Sequence, residues 1–216
     1  MRSHLRPWIV PVVVVAVVVI GSGLIGCTED GVDARNVVQV YSVNDNLPLL
    51  SDVYNYGANP DTSASNDDFV PVDIVEVTFT SRVHDTSLQT VKPGGPFGSV
   101  VFTSYDVRYG DGSNPAGADL DGDGTVDLAN FSAPMNAVVP TGGAAQGYIL
   151  LVSGGDKIVP PISCLGPLAG AGCGSVITVE FGVNALVTFH GTEETSGDEV
   201  TLERGVLIRI SQFGDN

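Results

Sequence analysis

Asp119, Asp121, Asp123 and Asp127 fall within nine residues, in the run ADLDGDGTVDLAN that covers residues 118–130. Counted from Asp119, the four aspartates hold positions 1, 3, 5 and 9, Thr125 holds position 7, and Gly124 holds position 6. A hard divalent cation is bound by oxygen ligands at such alternating positions, with a glycine where the chain folds sharply around it. The aspartates would supply carboxylates, and Thr125 its backbone carbonyl. Carboxylates crowded this closely repel one another unless a positive charge sits among them, and that is the physical reason to expect a metal. The competing reading is a solvated Asp/Gly turn between two strands. The spacing favours a structural calcium site with Asp119, Asp121, Asp123, Thr125 and Asp127 as ligands. Affinity is expected to be weak, with Kd on the order of 10⁻⁴–10⁻³ M, which suits a staple better than a sensor.

The spacing D-x-D-x-D-G-x-x-D resembles the calcium loops of EF-hands, dockerins and FG-GAP repeats. DLDGDGTVDL is most similar to the last of these, which bind calcium among strands without flanking helices. Position 12 is Asn130 and not the bidentate glutamate of an EF-hand, so a helix-opening switch is not implied. A single copy does not make a propeller, which needs several self-similar blades.

Other residue types that do chemistry are sparse. Beyond the first residues there are two histidines, His84 and His190. His84-Asp85 could be a base with its orienting acid, but no serine stands in a G-x-S-x-G elbow to receive it. Glu76 and Glu180 could pair as glycosidase carboxylates, although glutamates on the wet face of a strand are ordinary. No phosphate-binding loop, Rossmann glycine pattern or haem-attachment motif is present. No catalytic residue is assigned, and the chain is not expected to be an enzyme. Tyr54 and Tyr56 could stack on a sugar or fill a partner's groove; the commoner role is to cap the edge of a sheet.

The N-terminus locates the protein. Arg2 and Arg6 precede an uncharged apolar run, as in a secretion signal. Leu24-Ile25-Gly26-Cys27 resembles the lipobox of bacterial lipoproteins, which implies that Cys27 becomes the lipidated first residue after removal of residues 1–26. Two other readings stand beside it: an uncleaved anchor over residues 8–25, at the lower edge of a membrane-spanning length, and ordinary cleavage that leaves Cys27 as a thiol. All three place the remainder outside the cytoplasm. Thr28, where an aspartate would favour inner-membrane retention in the Gram-negative pattern, points to the outer membrane. Loss of two arginines would move the formal charge from −16 to −18, a surface that repels nucleic acid. With Cys27 assigned to the lipid, Cys164 and Cys173 remain as a pair around LGPLAGAG, and a disulfide is expected in an oxidising compartment.

The elements that must hold these residues have the period of strands. Residues 37–43 and 72–83 alternate apolar with polar, placing Val75, Val77, Phe79 and Ser81 on one face. Tyr105, Val107 and Tyr109 share a face in the same way. The clearest case sets Ile177, Val179, Phe181, Val183, Ala185, Val187 and Phe189 on one side. YILLVSG is a short apolar run, and EVTLERGVLIRISQF reads as two pieces around Gly205. Forty Gly and Pro residues punctuate the chain, and no dozen residues carry a helical period. About seven strands are expected. The organisation is a signal peptide (1–26), a lipidated cysteine and polar tether (27–36) and one all-β domain (37–216) with the calcium-type loop inserted at 110–130. The domain is expected to be an antiparallel, immunoglobulin-like or fibronectin-like β-sandwich, and it is similar to uncharacterised bacterial lipoproteins with an Ig-like domain. Three functional readings follow. The first is a lipid-anchored, non-catalytic binding or scaffold module of the cell envelope, with an envelope protein or glycan as partner. The second is a carbohydrate-binding or carbohydrate-active accessory domain, and the third a periplasmic assembly or chaperone-like factor.

Overall fold

Alternation of β-branched and aromatic residues with polar ones becomes, among the described residues, ten strands: β1 (Asn36–Val43), β2 (Leu49–Asp52), β3 (Asp73–Val83), β4 (Val100–Tyr109), β5 (Gly117–Ala118), β6 (Leu128–Ala129), β7 (Phe131–Val139), β8 (Ala144–Val152), β9 (Glu180–Glu193) and β10 (Glu199–Ser211). A single-turn helix, α1 (Gly154–Lys157), follows β8. The computed structural model describes residues 36–55, 69–83, 98–110, 114–166, 173 and 179–213. The signal segment with Cys27, nearly all of the tether, His84, Asp85, Tyr56 and Ile177 lie outside them. No helix among the described residues is long and apolar enough to cross a membrane.

The class is all-β. One sheet has the order β1-β3-β8 and a second the order β2-β10-β9-β4-β7, while β5 and β6 form a two-stranded ladder of their own. The expected inward faces are buried: Val75, Val77 and Phe79 on β3, Tyr105, Val107 and Tyr109 on β4, and Phe181 through Phe189 at alternate positions on β9. They join in one hydrophobic cluster shared by the two larger sheets. Phe79 of the first sheet stacks on Phe102 of the second at 4.6 Å between ring centroids and meets Phe189 edge-on at 5.1 Å. Such aromatic pairs add about 0.5–1.5 kcal/mol to the burial itself.

The observed sheet pattern differs from the expected one in three places. First, not every pairing is antiparallel, because β2 runs parallel to β10, from Leu49 beside Ile208 to Asp52 beside Ser211. The cause is the turn at Asn44–Asn46, whose φ values of 49°, 53° and 61° are left-handed. Asn and Asp tolerate that conformation better than other side chains. The turn carries the chain from β1, in one sheet, to β2, in the other.

Second, β7 was not evident from the sequence, since Pro134 interrupts it and its residues are mostly small or polar. It survives because it is an edge strand, and Pro134 lies opposite Ser104, where the register with β4 slips. A missing N–H is tolerated at such an irregular edge position. Third, β10 is continuous through Gly205, which pairs with Leu186 in an unbroken register. A polar hairpin joins β9 to β10, with Gly197 at φ 80° in its turn.

The free edge of β8 is covered from the opposite sheet. The Tyr105 hydroxyl accepts from the Leu150 N–H at 2.8 Å, and the Tyr109 hydroxyl donates to the Leu151 carbonyl. Burial raises the pKa of both phenols. Cys164 and Cys173 are joined in the expected disulfide, with their Cα atoms 5.3 Å apart.

Candidate metal centre

β4 ends at Tyr109, and Gly110, at φ 84°, turns the chain away from the sheet. The two-residue ladder then frames the aspartate loop, with Gly117 opposite Ala129 and Ala118 opposite Leu128. Leu128 is fully buried and Ala118 nearly so, and these two side chains root the loop in the core. Gly117 is required here: at φ 153°, a Cβ would stand 1.9 Å from the Leu128 carbonyl oxygen.

Asn130 has a part that the sequence did not disclose. Its side-chain oxygen accepts from the Tyr109 N–H at 2.8 Å, its amide donates to the Pro115 carbonyl at 2.9 Å, and its own N–H donates to Ala116. Position 12 therefore clamps the base of the loop to the end of β4. Its signal was only the absence of a glutamate there.

Inside the loop each carboxylate is oriented by backbone amides. Asp119 accepts from Gly122 and Gly124 at 2.7 and 2.8 Å, one N–H on each oxygen. Asp121 accepts from Asp123 at 3.1 Å, and Asp127 accepts from Leu120 at 2.6 Å. Gly122 and Gly124 have left-handed φ values of 79° and 91°, which turn their amides inward toward Asp119. Those amides, Gly124 first, hold the Asp119 carboxyl below its usual range. Asp127 moves the opposite way. Its burial is the main cause, and the charges of Asp121, Asp119 and Asp123 add to it.

The result is convergence: one carboxylate oxygen from each of Asp119, Asp121 and Asp127 lies within 4.8 Å of the other two. Oxygens that share a calcium ion at about 2.3–2.6 Å cannot be more than about 5 Å apart, so this spread fits a common ion. Asp123 is not in the converging set; its carboxylate accepts the Thr125 N–H at 2.7 Å. Thr125 thus enters the loop's hydrogen bonding through its N–H. Among the described residues, no other group of three metal-ligating side chains converges in this way.

A cleft of about 720 Å³ lies beside the loop, between Asp119 and Gly124 on one side and residues 180–184 of β9 on the other. Tyr109 and Phe181 contribute to its lining, yet both are turned into the core and are 2 % and 7 % exposed. Glu180, at its rim, accepts from Nε and Nη2 of Arg209, one on each oxygen, both at 2.7 Å.

The other sequence candidates are dispersed. Glu76, on β3, accepts from Gln146, so it and Glu180 sit on different sheets. Tyr54 is buried at 7 %. His190 meets Asp106 at 2.9 Å on the outer face of the five-stranded sheet, and Ser132 donates to the other oxygen of the same carboxylate. The aspartate occupies the centre of this trio, so the serine proton points to a carboxylate and not to the imidazole. A serine nucleophile needs the imidazole in the centre, between the serine and the carboxylate. No family model matches this chain, and no curated protein matches it.

Proposed function

We infer that the chain is a lipid-anchored, non-catalytic binding or scaffold module of the cell envelope, with an immunoglobulin-like domain stiffened by calcium. The observation that carries the structural part is the convergence of Asp119, Asp121 and Asp127 on a span that one ion can bridge. Burial, and after it the charges of Asp121, Asp119 and Asp123, hold Asp127 above its usual range, and a divalent cation there would offset both. Asp123 and the Thr125 carbonyl would complete the shell, with water in the remaining positions. The envelope location rests on Leu24-Ile25-Gly26-Cys27. The immunoglobulin-like assignment is supported by the two sheets over one core, with β1 in one and β2 in the other.

Calcium at ten times its Kd should stabilise the domain by about 1.4 kcal/mol. For a chain of this size that raises Tm by about 3–6 °C. The Asp127→Asn variant should lose this rise without losing stability in chelator, because it removes a carboxylate that burial and its neighbours oppose. Calorimetry with and without calcium measures both. An identical Tm in the two conditions for the unaltered protein would sink the calcium assignment. Detergent phase partition of the full chain against Cys27→Ser tests the anchor, and only the unaltered protein should enter the detergent phase.

A second reading, the assembly factor, is favoured by apolar side chains on the outer face of the three-stranded sheet. Ile74 and Tyr148 are 61 % and 66 % exposed on neighbouring strands. Such diagonal neighbours form one contact surface. Pull-down from membranes with the unaltered chain and with Tyr148→Glu separates the readings. A partner lost in the variant supports the assembly factor, and equal recovery in both supports the scaffold.

A further inference from the structure

Lys157 closes α1, and its side chain is fully buried, which lysine almost never is unless paired. The local chain fixes its direction. Ser153 caps α1 through its hydroxyl, which accepts from the Asp156 N–H, while the Asp156 carboxylate accepts from the Ser153 N–H. Lys157 Nζ then lies 2.9 Å from Asp73 Oδ2 and donates to the Asp52 carbonyl at 2.7 Å. Asp73, at the start of β3, is 9 % exposed, and the same Oδ2 accepts from the buried Ser51 hydroxyl at 2.6 Å.

As an ion pair this arrangement is incomplete. An ammonium carries three N–H donors, and among the described residues two acceptors meet it, Asp73 Oδ2 and the Asp52 carbonyl. Burial also weighs against its charge and lowers the lysine pKa, opposed by Asp73, Asp52 and Asp156. Taking two charges out of water is costly, and their attraction repays that cost only where the remaining donors and acceptors are satisfied. A secondary amide between the same two side chains would be neutral, with one donor and one acceptor. Partners for both already stand in place, the Asp52 carbonyl for the N–H and the Ser51 hydroxyl for the C=O.

We propose that Lys157 and Asp73 condense to an intramolecular amide, a covalent cross-link from the segment after β8 to the first residue of β3. The new bond joins Nζ to Cγ of Asp73, and the bond from Cγ to Oδ1 breaks. That oxygen leaves as water with two of the three ammonium protons, and the third stays on the amide nitrogen. Nothing is oxidised or reduced, and no co-reactant is consumed. The Ser51 hydroxyl is placed to stabilise the negative charge that gathers on Oδ2 as the amine adds. The Asp73 carboxylate, 2.9 Å from Nζ, is itself in reach of the proton that the amine must release before it attacks.

The test is peptide mass spectrometry on the full-length protein, reduced, denatured and digested with trypsin, which does not cut after an acylated lysine. The fragment from Tyr109 to Arg204 should remain whole at Lys157 and carry the fragment from Asn36 to Arg82, the sum being lighter by one water. Asp73→Ala should abolish the linked species. Asp73→Asn should restore a product of the same mass, formed by loss of ammonia. Cleavage at Lys157 and a free 36–82 fragment from folded, disulfide-bonded protein, with no linked species, would overturn the proposal and leave an ion pair.

Discussion

Tyr109 shows how one polar atom can matter in an apolar core. Its hydroxyl reaches across the space between the sheets to the Leu151 carbonyl, a backbone group on the free edge of β8. Tyr109→Phe keeps the ring and leaves that acceptor without its donor. The expected loss is about 1–3 kcal/mol, the cost of an unsatisfied buried group. It is read as a lower urea midpoint at unchanged slope. Two glycines make a sharper contrast. Gly117→Ala drives a Cβ into the Leu128 carbonyl oxygen, whereas nothing lies within 4 Å of a Cβ at Gly122. Both residues have positive φ, so both variants carry backbone strain of about 1–3 kcal/mol. Gly117→Ala should in addition break the β5–β6 ladder and abolish the calcium-dependent rise in Tm, while Gly122→Ala should retain most of it. Differential scanning calorimetry in calcium and in chelator compares the two.

At the scale of elements, the outer face of the five-stranded sheet ties β7, β4 and β9 together through Ser132, Asp106 and His190. The Ser132 hydrogen bond is the first cause, and His190 the next, that holds the Asp106 carboxyl below its usual range. A carboxylate with a depressed folded pKa adds stability above its unfolded pKa, and that stability is lost as pH falls through the folded value. Asp106 is solvent-accessible, so the contribution is small. Ser132→Ala should therefore lower the urea midpoint near neutrality and have no effect below the carboxylate range, where Asp106 is protonated in both proteins. An equal loss at both pH values would show that packing of β7, and not the carboxylate, is responsible. The same sheet explains why β7 escaped the sequence pattern. An edge strand buries only part of one face, so its residues need not alternate strictly, and Pro134 costs little beside a register slip.

For the whole molecule, the disulfide between Cys164 and Cys173 closes a loop with eight residues between the two cysteines. Closing a loop of this length in the unfolded chain is worth about 2–3 kcal/mol. Reduction, or a double change of Cys164 and Cys173 to serine, should lower Tm by about 4–12 °C for a domain of this size. Measurement of Tm with and without reductant checks this, and the double variant should not respond to reductant.

What the sequence determined alone is what short-range physics writes into it. Alternation names the inward residues of β3, β4 and β9, because successive side chains of a strand point to opposite faces. The aspartate spacing marks the loop, since carboxylates at alternating positions of a tight turn converge, and the cysteine pair follows from its short separation in the chain. The tertiary structure decided what depends on partners distant in the chain. Examples are the parallel seat of β2 beside β10, the reach of Tyr105 and Tyr109 to β8, and the use of Asn130 as a clamp. The meeting of Lys157 with Asp73 and Ser51 belongs with them. A hydrogen bond or ion pair between remote residues leaves no period in the sequence. Its geometry exists only once the sheets are stacked.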